Sequence, residues 1–157
     1  MLGLTIALAM IMSYIEALVP LSFAVPGIKM GLANIVIIFV LYKIGTKEAI
    51  LVSLIRVILV SLLFSNVMAM AYSIAGAVLS LSVMWLLKKT DRFSFVGVSI
   101  AGGIMHNVGQ IIMAVILLGT EQIALYLPVL IITGTVTGVV IGIVSGLVIN
   151  RFKNIRI

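Results

Sequence analysis

His106, Asn107 and Gln110 fall within little more than one helical turn of an otherwise apolar run. Asparagine and glutamine each bring an amide donor and acceptor, and the two ring nitrogens of histidine serve either way. Ser99, Gly103, Asn107 and Gln110 lie close to one face of a helix, with His106 and Gly109 adjoining. Hydrogen bonding between helices alone would use such groups at about 0.6 kcal/mol per contact. The density of the cluster exceeds what packing demands and marks a binding site. No metal is expected, because one histidine without nearby carboxylates makes no coordination sphere, and no cofactor is called for. Acid–base catalysis by His106 would also need a carboxylate partner, and none stands near it in the sequence.

Charged side chains at bilayer depth need a reason, since each costs at least about 2.5–3.5 kcal/mol at a helix centre. Arg56 lies midway along one apolar stretch, and Glu16 stands in the last turn before Pro20 of another. One reading pairs the two as a structural ion pair. The other turns Arg56 toward a bound anion, because guanidinium stays charged and grips carboxylate or phosphate with two bonds. Further polar groups converge on the same side of the chain: Lys29, Asn34, Ser65, Asn66, Tyr72, Tyr126 and Thr133. Of these, Lys29, Asn34, Asn66 and Tyr72 join Arg56, His106, Asn107 and Gln110 as candidate substrate-binding residues. Lys29 and Arg56 favour an acidic solute.

The elements that carry these residues are read from hydropathy. The chain is 64% hydrophobic and 9% charged, with mean hydropathy +1.43. A soluble core of this size has no room for so much apolar surface. Six apolar segments emerge: Leu2–Val19, Gly31–Tyr42, Lys47–Phe64, Val67–Leu87, Phe95–Leu118 and about Gln122–Asn150. The basic residues sit in alternate gaps: Lys43 with Lys47, Lys88, Lys89 and Arg92, and then Arg151, Lys153 and Arg156. Cytoplasmic loops are enriched in lysine and arginine, so these clusters put one face of the bundle, and both termini, inside. The fold class expected is a single all-α integral membrane domain of six transmembrane helices over residues 1–157.

The net charge of +6 favours anionic membrane lipids, at about 1 kcal/mol per basic residue near the surface. It does not point to nucleic acid, since the charges lie at helix ends without interleaved aromatics. No cysteine is present, which excludes disulfides, thiolate metal sites and cysteine nucleophiles. Residues Met1 to Val19 lack a basic leader and a small-residue cleavage site, so they read as a retained helix.

The segment Pro20–Met30 is apolar yet broken by Pro20, Pro26 and Gly27. Non-helical backbone at membrane depth persists only against protein or a water-filled cavity, so this loop reads as a lid folded back over the bundle, the alternative being a connector lying in the interface. Small residues recur at fourfold spacing in Thr5, Ala9, Ser13 and Ala17, and in Gly134, Gly138, Gly142 and Gly146. Such stripes let neighbouring backbones approach and usually pack within the chain; on a first helix they also suit a partner subunit.

The run Val25-Pro-Gly-Ile-Lys-Met-Gly-Leu-Ala-Asn-Ile35, with Arg56 and the later His106-Asn107-Val-Gly-Gln110, resembles the bacterial Gx transporter family. That family is also labelled heptaprenyl diphosphate synthase component I. In size and layout it is similar to the S components of energy-coupling factor (ECF) transporters. These bind a small molecule in an outward pocket and work with a transmembrane coupling protein and cytoplasmic ATPases. The resemblance implies a gate at Pro26, Gly27 and Gly31 and a pocket at Asn34, with Arg56, His106, Asn107 and Gln110 as further pocket candidates. It implies a docking face for the coupling protein at Thr5, Ala9 and Ser13, although Ala9-x-x-x-Ser13 departs from the Ala-x-x-x-Ala of that class. The expected role is capture of a small vitamin-, isoprenoid- or quinone-related solute at the bacterial cytoplasmic membrane.

The synthase label implies a different role, a non-catalytic membrane subunit or scaffold for prenyl diphosphate or menaquinone synthesis. Prenyl condensation needs aspartate-rich motifs that hold magnesium, and this chain has the single aspartate Asp91. It has no phosphate-cradling G-x-x-x-x-G-K-[ST] loop either, so any ATPase belongs to another chain. The chain is expected not to be an enzyme.

Overall fold

The structure, a computed structural model, describes residues 2–18 and 31–152. Six α-helices follow one another: α1 (Leu2–Leu18), α2 (Asn34–Lys43), α3 (Thr46–Phe64), α4 (Val67–Lys89), α5 (Phe95–Leu118) and α6 (Leu127–Arg151). A 3-10 turn, Glu121–Tyr126, precedes α6, and no strand occurs among the described residues. The proposed lid residues Pro26 and Gly27, and Lys29 beside them, lie outside the described residues.

Local chemistry explains the boundaries. Asn66 caps α4 by accepting from the Ala69 N–H at 2.8 Å, and Ser94 caps α5 through the Gly97 N–H at 3.2 Å. Gly119 ends α5 in the left-handed conformation at φ 62°. The last segment does not run as one helix from Gln122 as its hydropathy predicts. Pro128 fits only the first turn of an α-helix, where its missing N–H is not needed, so α6 begins at Leu127 and the preceding residues wind more tightly.

Burial is inverted relative to a soluble protein. Leu4, Leu62, Val67, Ile116, Leu125 and Leu147 are exposed, whereas Ser13, Glu16, Arg56, Ser80, His106, Asn107, Gln110 and Ser145 are buried. A surface of leucine, isoleucine and valine around a polar interior is what lipid solvation selects. Among the described residues, three stretches are long and apolar enough to cross a membrane: Val67–Lys89, Phe95–Leu118 and Glu121–Arg151. The expectation of six spans is met by length and composition for these three. α1 has 17 residues and α2 has 10, and α3 carries Lys47, Glu48 and Arg56.

α2 is the central post of the bundle. Val36, Ile37, Ile38, Val40 and Leu41 are all at most 3% exposed and pack with Ala9, Ala49, Val52, Met84, Val98 and Ile141. At its C-terminal end the basic groups gather. Lys43 Nζ donates to the Phe152 carbonyl at 2.7 Å, Lys88 Nζ donates to the Leu41 carbonyl, and Lys88 also lies 5.1 Å from the centre of the Tyr42 ring. Cations there satisfy terminal carbonyls and oppose the negative ends of the helix dipoles. The ends of α2, α4 and α6 thus form one basic pole, as the alternation of charged gaps requires.

Glycines set the tightest crossings. A β-carbon at Gly109 would lie 2.7 Å from the Ala75 carbonyl oxygen, and one at Gly103 would lie 2.6 Å from that of Gly134. α5 is therefore clasped between α4 and α6 at near backbone contact.

Candidate functional site

Away from the basic pole, α1, the start of α2, α3, α4 and α5 turn polar side chains inward at one level. Gly31 organises the entry to α2. Its φ of +88° is a left-handed conformation that side chains disfavour by roughly 1–2 kcal/mol. Its N–H donates to Glu16 Oε1, and its carbonyl accepts from the Asn34 N–H at 2.8 Å. A β-carbon there would meet Asn34 Nδ2 at 2.9 Å and His106 Cδ2 at 3.8 Å, so Asn34 and His106 flank this glycine. Glu16, Asn34 and His106, from three helices, converge on one backbone position.

Arg56 approaches from α3. Its Nη1 donates to Ser13 Oγ at 3.1 Å, and its charge lies within electrostatic reach of Glu16. Its Nε has no hydrogen-bond partner. The ion-pair reading of Arg56 and Glu16 therefore has an electrostatic basis, and one guanidinium nitrogen remains for a ligand.

α4 and α5 complete the layer. A β-carbon at Gly76 would lie 3.0 Å from both His106 Cε1 and Gln110 Cγ, so this glycine is the recess into which the two side chains fit. Gln110 is 0% exposed and neither amide atom has a hydrogen-bond partner. Asn107 points the other way. Its Nδ2 donates to the Leu130 carbonyl of α6 at 2.6 Å, while its Oδ1 is buried without a partner. Tyr72 and Ser73 are buried on α4, and Ser73 Oγ is likewise unpartnered. Native interiors satisfy nearly all such atoms, so their concentration here is informative.

The sequence-derived candidates separate accordingly. Asn34, Arg56, His106 and Gln110 belong to the layer, and Tyr72 is buried beside Ser73. Asn107 serves first to bind α6. Asn66 is exposed and spends its side-chain oxygen on capping α4. Of the first-helix stripe, Thr5, Ala9 and Ser13 are 8%, 0% and 1% exposed, because they face the bundle interior. Ser73 and Gly76 were not singled out as site residues from the sequence, because a serine and a glycine in an apolar helix carry no binding signal of their own.

Among the described residues no group of histidine, cysteine, aspartate and glutamate is arranged to hold a metal ion. The fold and the enclosed layer define a helical membrane protein whose polar interior is shielded by an apolar exterior. A family model described as heptaprenyl diphosphate synthase component I matches residues 5–148, and the chain belongs to that family. Neither a curated protein nor a solved structure matches.

Proposed function

We propose that this chain is a membrane-embedded solute-binding subunit, similar in role to the S component of an ECF-type uptake transporter. The observation that supports this most is Gln110, wholly buried with both amide atoms unpaired. An unmade hydrogen bond inside a bilayer is expensive, and a ligand offering a donor and an acceptor relieves it. Arg56 Nε and Asn107 Oδ1 add one donor and one acceptor of the same kind. A small solute with an acidic group and an apolar body, vitamin-like or isoprenoid- or quinone-related, matches this set. Lys29, Pro26 and Gly27 would act from the lid. The basic pole faces the cytoplasm of a bacterial cell, both termini lie on that side, and all six helices contribute to the membrane domain. A transmembrane coupling protein and cytoplasmic ATPases supply the work, docking on lipid-facing positions of α1 such as Leu4, Leu8 and Ile11, which are exposed.

A second reading follows from the family description, which names one component of a synthase. The chain would then be a non-catalytic membrane subunit whose basic pole recruits a soluble prenyl synthase. Asp91, its single aspartate, is exposed in the α4–α5 turn beside Lys88, Lys89 and Arg92, far from a paired-carboxylate magnesium site. Mass spectrometry of small molecules released from gently purified protein separates the two. A discrete solute, lost in Arg56→Met and Gln110→Met while the helical content persists, supports capture. A ligand-free protein that retains a soluble synthase overturns it in favour of the second reading.

A further inference from the structure

A groove of about 530 Å³ opens between α3 and α4, on their basic-pole half. The volume falls within the usual range of small-molecule sites, roughly 300–1,000 Å³. α3 and α4 are joined at the opposite pole by the tight Ser65–Asn66 turn, and toward the basic pole a channel lies between them. Its walls are Ile50, Leu54, Val78 and Leu81, and its floor is made by the small residues Ser53 and Ala77. Ile50, Leu54 and Val78 are exposed, so the groove opens sideways to where acyl chains run.

Its basic-pole end is chemically different. Lys47 and Trp85 line the groove there, and Lys89 Nζ lies 5.5 Å from the centre of the Trp85 ring. Both lysines are exposed. Glu48 does not neutralise them across the groove, since its carboxylate is folded against Gly45 and is not among the lining groups. An apolar slot ending in an indole and two cations is complementary to an amphiphile with an anionic head. We infer that this groove binds an anionic phospholipid of the adjoining leaflet, one acyl chain between α3 and α4 and the phosphate at Lys47 and Lys89. The site is independent of the solute reading above. Tryptophan at this depth anchors the helix end at the interface and closes the head of the slot.

The test uses the full chain in a neutral detergent, with the single tryptophan as reporter. Brominated phosphatidylglycerol and brominated phosphatidylcholine are titrated separately, and quenching of Trp85 is read. Phosphatidylglycerol should quench at about thirtyfold lower mole fraction, the effect of two lysines near an anionic head. The double variant K47Q/K89Q should erase that preference without altering helical content. Val78→Phe, at a lipid-facing position, should fill the slot and weaken quenching by phosphatidylglycerol severalfold. Superimposable curves for the two lipids, or an intact preference in K47Q/K89Q, would overturn the assignment. Recovery of Trp85 emission on adding stoichiometric farnesyl diphosphate would overturn it too, giving the groove to a prenyl diphosphate.

Discussion

Replacing Gln110 by methionine should stabilise the empty protein while abolishing ligand retention. Methionine keeps the unbranched length of glutamine, so it respects the close approach of Gln110 to Gly76, where a branched side chain would collide with α4. The glutamine amide has no access to solvent and no partner for either of its polar atoms. An unsatisfied buried polar group costs about 1–3 kcal/mol, and removing it returns that free energy to the folded state. For a chain of this size each kcal/mol moves the melting temperature by about 2–4 °C, so Gln110→Met should melt roughly 2–12 °C higher. Thermal unfolding in detergent, followed by Trp85 emission on protein stripped of ligand, measures the shift. Mass spectrometry of unstripped protein measures the ligand. A variant that melts lower than the parent, or that still carries the solute, refutes the reasoning: Gln110 would then be structural and satisfied.

Three further outcomes are expected. Arg56→Met removes the cation beside the buried Glu16 carboxylate, itself 7% exposed, and should cost about 3–5 kcal/mol; the double variant E16Q/R56M should recover most of that, and strictly additive losses in thermal unfolding would show the two charges to be uncoupled. Gly31→Ala forces an alanine to φ +88° and drives its β-carbon toward Asn34, so it should lose at least about 1–2 kcal/mol and weaken solute retention; an unchanged melting temperature counts against the entry geometry. Because the chain has no cysteine, Arg92→Cys and Thr120→Cys give clean topology reporters at exposed positions of the two poles. An impermeant thiol reagent on intact cells should label Cys at 120 and spare Cys at 92, and the reverse pattern would invert the proposed orientation.

The reach of the sequence differs among these elements. Five of the six helices begin and end within a few residues of their hydropathic segments, because transfer into lipid is a property of each segment alone. The start of α6 escaped, since a 3-10 turn and an α-helix share the same hydropathy and only Pro128 distinguishes them. The inward face of α5 was equally legible, as Ser99, Gly103, Asn107 and Gln110 repeat at helical spacing and all are buried. The direction of each side chain within that face was not. Asn107 reaches α6 and Gln110 lies against α4 although they stand one turn apart.

What the sequence determined by itself is therefore the solvent of the fold: apolar length, the alternation of basic gaps and the placement of polar residues along each helix. Those are one-dimensional quantities, set by the free energy of moving each segment between water and hydrocarbon. The tertiary structure alone decided which polar groups satisfy one another. It spent Asn66 on a cap, turned Thr5, Ala9 and Ser13 inward, joined Glu16 to Gly31, and left Gln110 without a partner. Hydrogen-bond satisfaction depends on distances of about 3 Å between atoms on different helices. Such distances follow from how five helices pack around α2, and no single segment encodes them.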